Sequence, residues 1–301
     1  MSEDEFLKSS ERTSRASVLY AVSTLHVTRE VMAASPHLRA VISPYTGTEG
    51  FDEKAATDLG ILVANGQPPE NYESMAEATI MLVLASLYDL MGAEAHMRAG
   101  WKTRRGQQSH MLKGKTVGLI GFGQISRAVA ERLAPWQCTL QTYAPRVRSA
   151  WPSYVARVEL EELLKTSDVI CVLASLNTDT RHMLNAETLR MTKKGAVLIN
   201  TARGGLIDEA ALFDIASTGH FSHIALDVFE TEPLAEASRL RELKNTILTP
   251  HGVGHTHETM AVLQRLGLEN CQRALDGELP VYIRNPDVIP AWQKRWAQKK
   301  A

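Results

Sequence analysis

Residues 116–126 read Thr116-Val117-Gly118-Leu119-Ile120-Gly121-Phe122-Gly123-Gln124-Ile125-Ser126, an apolar run that enters a glycine pair and then a helical pattern carried by Ala128, Val129 and Leu133. The order is strand, tight turn, helix N-terminus. Backbone N–H groups in a helix's first turn lack an intrahelical acceptor, so with the helix dipole they suit a pyrophosphate. Gly121 permits the turn, Gly123 lets backbone approach the phosphates, and Gln124 and Ile125 open the helix; Ser126 stands where a third glycine is usual. The pattern predicts a dinucleotide cofactor, with a bare βα turn as the alternative. At the end of the next strand, where an acid normally holds the adenosine ribose, the chain reads Tyr143-Ala144-Pro145-Arg146-Val147-Arg148. Ala144 removes a charge that would repel a 2′-phosphate, and Arg146 and Arg148 are suited to clamp one. NADP(H) is therefore expected ahead of NAD(H), the alternative being that these arginines are solvated loop charges.

The elements that position these residues follow from hydrophobic periodicity. Strands are predicted at residues 116–120, 139–143, 168–173, 196–200, 223–228 and 246–248, and helices between them at 124–133, 160–165, 186–191 and 208–217. Six strands joined by right-handed crossovers make one doubly wound parallel sheet, a Rossmann nucleotide domain, whose ligands collect at the carboxyl ends of the strands. Shorter strands at 17–21, 40–42 and 61–63 predict a second, smaller α/β unit. Long helices at about 73–91 and 256–275 flank the large domain, which places the substrate domain at 1–72 plus 257–301 and the dinucleotide domain at 73–256, with a cleft where they meet. Pro280, Pro286 and Pro290 punctuate the last stretch, which is expected to pack back on the small domain as irregular chain.

The totals exclude several function classes. With 33 basic and 34 acidic residues the formal net charge is −1, so no global field draws the chain to nucleic acid or an anionic membrane. The apolar stretch 79–87 is too short to span a bilayer and reads as a buried helix. Cys138, Cys171 and Cys271 lie far apart in apolar surroundings, which fits reduced thiols better than disulfides or a metal site. An acidic start, Met1-Ser2-Glu3-Asp4-Glu5, is unlike an export signal, and a cytoplasmic protein is expected.

Three further segments carry ionisable residues just after apolar runs: Asn200-Thr201-Ala202-Arg203-Gly204-Gly205-Leu206-Ile207-Asp208, Leu226-Asp227-Val228-Phe229-Glu230-Thr231-Glu232-Pro233 and Thr249-Pro250-His251-Gly252-Val253-Gly254-His255-Thr256. Together with the glycine turn, in this order and spacing, they resemble the D-isomer-specific 2-hydroxyacid dehydrogenases. The resemblance implies a nucleotide domain beside a smaller flavodoxin-like substrate domain, and an enzyme that interconverts a 2-oxo acid and a D-2-hydroxy acid. It implies that Arg203 orients the substrate's carboxylate and 2-oxo group, that His251 is the acid/base, and that Glu232 is its carboxylate partner. Hydride arriving at the carbonyl carbon leaves negative charge on oxygen, which a protonated imidazole neutralises and a guanidinium stabilises. A neighbouring carboxylate favours the charged ring and fixes its tautomer. Asp227 is expected to meet the nicotinamide carboxamide, with Thr201, Ala202 and Gly254 lining that site; His255 and His257 receive no catalytic role. In the small domain Tyr45-Thr46-Gly47 resembles the loop whose N–H groups receive the substrate carboxylate, with Tyr45 where many members have glycine, and Asn71 is a further candidate or a loop cap. A homodimer is implied as well.

The chain departs from the family pattern at its front, where residues 16–44 resemble the middle of the substrate domain and the preceding one or two βα units are missing. Leu173-Ala174-Ser175-Leu176 lacks the histidine and proline often found on the adenosine side. A reductase of a small 2-oxo acid such as glyoxylate or hydroxypyruvate is the leading reading. A dehydrogenase of a larger, phosphorylated or phosphonate-bearing 2-oxo acid is the enzymatic alternative, and Arg39 or Lys54 in the pocket would favour it. A nucleotide-sensing, corepressor-like binding protein is the alternative from another class. Glutamate at 232, where formate dehydrogenases are expected to carry glutamine, argues against formate.

Overall fold

The computed structural model describes residues 8, 10–100, 109–145 and 151–296. The chain divides into two compact units, Met1–Asn71 with Thr256–Ala301, and Tyr72–His255. In the first, β1 (Val18–Tyr20), β2 (Ala40–Ile42) and β3 (Leu62–Ala64) form a parallel sheet in the order β1-β2-β3. Helices Arg29–Ala33 and Glu53–Asp58, capped by Thr28 and Asp52, cover one face through Val31, Met32, Ala55 and Ala56. The other face is covered by Ala274, Val288, Trp292 and Trp296. The stretch expected to be irregular contains the helix Ile289–Trp296. Pro290 falls in its first turn, where a missing N–H costs no hydrogen bond, so a residue read as a breaker starts a helix instead.

The second unit is a seven-stranded parallel sheet: β4 (Thr116–Ile120), β5 (Thr139–Tyr143), β6 (Val155–Arg157), β7 (Val169–Val172), β8 (Val197–Asn200), β9 (His223–Leu226) and β10 (Thr246–Leu248), in the order β10-β9-β8-β7-β4-β5-β6. Strands β7, β8 and β9 are buried along their whole length, as parallel strands covered on both faces must be. One core packs Ile80, Leu82, Val83 and Leu87 with Val129 and Leu133; the opposite core packs Leu163, Leu164, Leu189, Leu212 and Ile215. The strand order reverses beside β4, and there the Gly121 turn approaches Leu173–Ala174, so that a Cβ on Gly121 would sit 2.7 Å from Ala174 Cα. This is the switch point at which doubly wound sheets bind ligands.

The seventh strand, β6, is an addition to the six expected. It is a three-residue edge strand with Ala156 and Arg157 exposed, so its pattern carries no apolar alternation. The helix expected at 73–91 runs Pro69–Leu87 and is followed by a second, Leu90–Arg98, bent from it by 58°. Asp89 makes the break with φ +47° and its buried carboxylate lies 3.2 Å from His223 Nε2. No single helix among the described residues is long and apolar enough to cross a membrane.

Candidate active site

The carboxyl ends of β4, β8, β9 and β10 carry nearly all the expected residues of the larger unit. After β4, Gly121 takes φ +92° and its N–H donates to Tyr143 O, while Gly123 caps the helix Gln124–Leu133 with no side chain bonded to the first turn. Among the described residues the N–H groups of Gln124, Ile125 and Ser126 have no acceptor. A Cβ on Gly123 would meet nothing within 4 Å. Three aligned donors facing open space fit a dinucleotide pyrophosphate. Ala144 is buried at the end of β5. Arg146 and Arg148, on which the expected NADP(H) preference rests, lie outside the described residues.

Arg203 stands in extended conformation at the head of a short turn, Gly204–Leu206. The buried Asn200 side chain sets this loop, accepting from Ala202 N–H at 3.0 Å and donating to Arg203 O at 3.0 Å, and the Arg203 guanidinium donates to Ala202 O at 2.7 Å. Thr201 hydrogen bonds to Thr79 Oγ1 at 3.0 Å, tying the loop to the helix Pro69–Leu87. Gly204 lies backbone to backbone on the next loop: a Cβ there would fall 1.9 Å from Phe229 C and 2.3 Å from Glu230 N.

Glu232 and His251 meet. Nδ1 of His251 is 2.6 Å from Glu232 Oε2, and Glu232 Oε1 accepts from Phe229 N–H at 3.0 Å. The carboxylate is thus aimed by its own turn, and the ring is left with Nε2 as the nitrogen that faces other partners. His251 has φ +51°, and the loop that holds it there is organised by Asp227. Buried Asp227 Oδ1 accepts from Thr249 Oγ1 at 2.6 Å, Gly252 N–H at 3.1 Å and Val253 N–H at 3.2 Å. The structure thereby gives Asp227 a task beyond the expected contact with a carboxamide: it shapes the histidine loop. Gly254 O accepts from Ser74 Oγ at 2.7 Å, and Met75 Sδ occupies the space a Cβ on Gly254 would need.

In the smaller unit the loop Tyr45-Thr46-Gly47 is held by its neighbours. Ser43 Oγ bonds Gly47 O, Thr46 Oγ1 donates to Gly66 O, Asn65 donates to Thr46 O, and Asn71 Nδ2 donates to Thr46 Oγ1 at 2.7 Å. The N–H groups of Thr46 and Gly47 have no acceptor among the described residues. Asn71 therefore acts on the loop as a brace. Arg39, weighed as a phosphate ligand, donates to Leu275 O at 2.7 Å and stacks on Trp296, which commits it to the fold; Lys54 is exposed on the helix Glu53–Asp58.

Residues that sequence reasoning passed over lie beside the Arg203 and Glu232 loops of the larger unit. His182 Nε2 is 3.0 Å from Glu230 Oε2, and Glu209 and Glu230 each accept the other's backbone N–H, at 2.6 and 3.0 Å. Burial holds the Glu209 carboxyl above its usual range, with the charges of Glu230 and Glu232 adding to it against the opposing bond from Glu230 N–H. Only the repeated glutamates of Phe229-Glu230-Thr231-Glu232 signalled this cluster in the sequence.

Residues 80–252 match the family model described as the D-isomer specific 2-hydroxyacid dehydrogenase, NAD binding domain. The chain is 33% identical to a glyoxylate reductase of Aeropyrum pernix over 92% of its own length and 85% of that protein. It is 36% identical to D-3-phosphoglycerate dehydrogenase of Mycobacterium tuberculosis over 87% of its length, but spans only half of that relative. A solved structure of a Thermus thermophilus protein superposes with a TM-score of 0.85 at 32% identity, covering 94% of this chain and 90% of the other.

Proposed function

The chain belongs to the D-isomer specific 2-hydroxyacid dehydrogenase family, and from that premise we propose that it reduces a small 2-oxo acid to the D-2-hydroxy acid at the expense of a reduced nicotinamide dinucleotide. The bound cofactor supplies the hydride. The observation that carries the reading is the 2.6 Å contact of His251 Nδ1 with Glu232 at the carboxyl ends of β9 and β10, in a sheet whose glycine turn offers three free donors. Glu232 engages Nδ1 and so leaves the proton to be transferred on Nε2, from which His251 protonates the oxygen left negative by hydride addition. Arg203 holds the substrate's carboxylate and steadies the developing charge. The N–H groups of Thr46 and Gly47 are further donors for a carboxylate.

A small substrate is favoured over a phosphorylated one because Arg39, the basic residue best suited to a phosphate, is occupied by Leu275 O and Trp296. For the cofactor, the uncharged Ala144 favours NADP(H) over NAD(H). A second copy of the chain is the proposed protein partner, a reading supported by the large apolar side chains Met81, Tyr88, Leu90, Met91, Met97 and Met111 that the larger unit leaves exposed. Absorbance of the reduced nicotinamide, followed with NADPH or NADH and a panel of 2-oxo acids beside a His251→Ala variant, tests the reading. Turnover that the variant loses, with higher kcat/KM for NADPH, is expected. Nucleotide binding without turnover of any acid would replace it with a nucleotide-sensing role, and a clear NADH preference would remove the NADP(H) assignment.

A further inference from the structure

His182 lies outside the short motifs quoted from the sequence, yet it touches two of the loops that carry them. Its N–H donates to Gly205 O at 2.8 Å, two residues after Arg203, and its Nε2 meets Glu230 Oε2 at 3.0 Å, two residues before Glu232. It reaches both from φ +49°, a left-handed conformation uncommon outside glycine and, less often, asparagine, aspartate and histidine. The run beyond it stays alongside the Arg203 loop, with Leu184 N–H donating to Leu206 O at 3.1 Å. Glu230 is secured from the other side by its reciprocal pair with Glu209 at the start of the helix Glu209–Ala216. Arg181 Nη2 stands 3.7 Å from the same Glu230 oxygen. The groups facing Glu230 are thus one imidazole, one guanidinium and the Glu209 carboxylate, with Glu232 following in its own turn.

We propose that His182, Glu230 and Glu209 are positioning residues which brace the loop of Arg203 against the loop of Glu232 and so fix the spacing at which guanidinium and Glu232–His251 couple act on one substrate; the inference rests on the reductase reading above. The brace works through paths already traced. Glu232 is aimed by Phe229 N–H, the Phe229–Glu230 peptide lies on Gly204, and Glu230 is held by His182 and Glu209. Release of Glu230 frees the peptide that aims Glu232, and loss of the His182 imidazole removes one of the holds on Glu230 while the main-chain bond from His182 N–H to Gly205 O stays. Neither change touches the donors of the glycine turn, which lie at the end of β4. A brace of this kind therefore affects the chemical step and leaves cofactor binding alone.

The test compares the full-length chain with His182→Ala, Glu230→Ala, the double variant and the isosteric Glu230→Gln, using NADPH and glyoxylate as probes, with the NADPH dissociation constant as a check of the fold. Each alanine variant is expected to lose about tenfold in kcat, a misplacement effect, with NADPH affinity held within about twofold. Because both residues serve one brace, the double variant should lose no more than the weaker single variant. Glu230→Gln keeps a side-chain oxygen for Glu209 N–H and for His182 Nε2, so it should retain most of the kcat that Glu230→Ala loses. Wild-type turnover with single-variant kcat values unchanged, or losses that multiply in the double variant, would overturn the brace alone. Failure of the wild type to reduce any 2-oxo acid would remove the underlying reading and the brace with it.

Discussion

Gly204→Ala is the sharpest perturbation the structure offers, because the penalty is purely steric. Gly204 does not have positive φ, so alanine fits its backbone conformation. The added Cβ, however, would fall 1.9 Å from Phe229 C, 2.1 Å from Phe229 O and 2.3 Å from Glu230 N. These are backbone atoms that cannot rotate aside. Carbon atoms in contact prefer about 3.5 Å, so the two loops must part by about 1.5 Å. One loop carries Arg203 and the other aims Glu232 through Phe229 N–H. Forcing the loops apart costs about 1–3 kcal/mol of stability, and displacement on this scale costs about 100-fold in kcat. Gly123→Ala is the counterpart, since its Cβ meets nothing within 4 Å: stability should hold while NADPH affinity falls, because the methyl takes up the space assigned to the pyrophosphate. Urea unfolding, kcat with glyoxylate and the NADPH dissociation constant are measured for both. If Gly204→Ala keeps wild-type kcat and stability, the close approach of these loops does not exist in solution and the reasoning fails.

Asp227→Ala leaves the Gly252 and Val253 N–H groups and the Thr249 hydroxyl without their buried acceptor, a loss of about 3–5 kcal/mol in urea unfolding at 1–3 kcal/mol per stranded group after partial relaxation; a loss below 1 kcal/mol would refute it. Glu209→Gln should stabilise the fold at pH 7, because burial holds the folded carboxyl above its ordinary 4.5 and the charged form is the disfavoured one. The sign follows from linkage: the gain is fully present above the raised value and is lost as pH falls below 4.5, where the wild-type carboxyl is protonated in both states. Thermal midpoints at pH 7 and pH 4 check this, and a Gln variant less stable at pH 7 would contradict it.

The glycine turn, the strands and the Arg203, Glu232 and His251 segments were legible because parallel strands buried on both faces leave unbroken apolar runs, and the residues at their carboxyl ends then share one edge of the sheet. The contact of His251 with Glu232, 19 positions apart, follows from the adjacency of β9 and β10. What stayed hidden depends on weaker or longer-range signals. Strand β6 is short and half exposed, and the helix Leu90–Arg98 buries none of its residues, so neither shows a period. Pro290 reads as a breaker until its place in a first turn is known. His182 and Glu230 are 48 positions apart and meet only because two loops pack on Gly204.

The smaller unit closes around residues from both ends of the described chain, and this orders events during synthesis. Residues 72–255 can emerge and fold as a complete sheet with both cores filled, whereas Ala40, Ile42, Leu62 and Ala64 must wait for Ala274, Val288, Trp292 and Trp296. At ribosomal speeds of roughly 5–20 residues per second, the roughly 40 residues from 256 to 296 take on the order of seconds to arrive. For that interval β2 and β3 present a bare apolar face to the cell. The helix bearing Trp292 is thus the step that ends that exposure, and strands made before the larger sheet are sheltered after it.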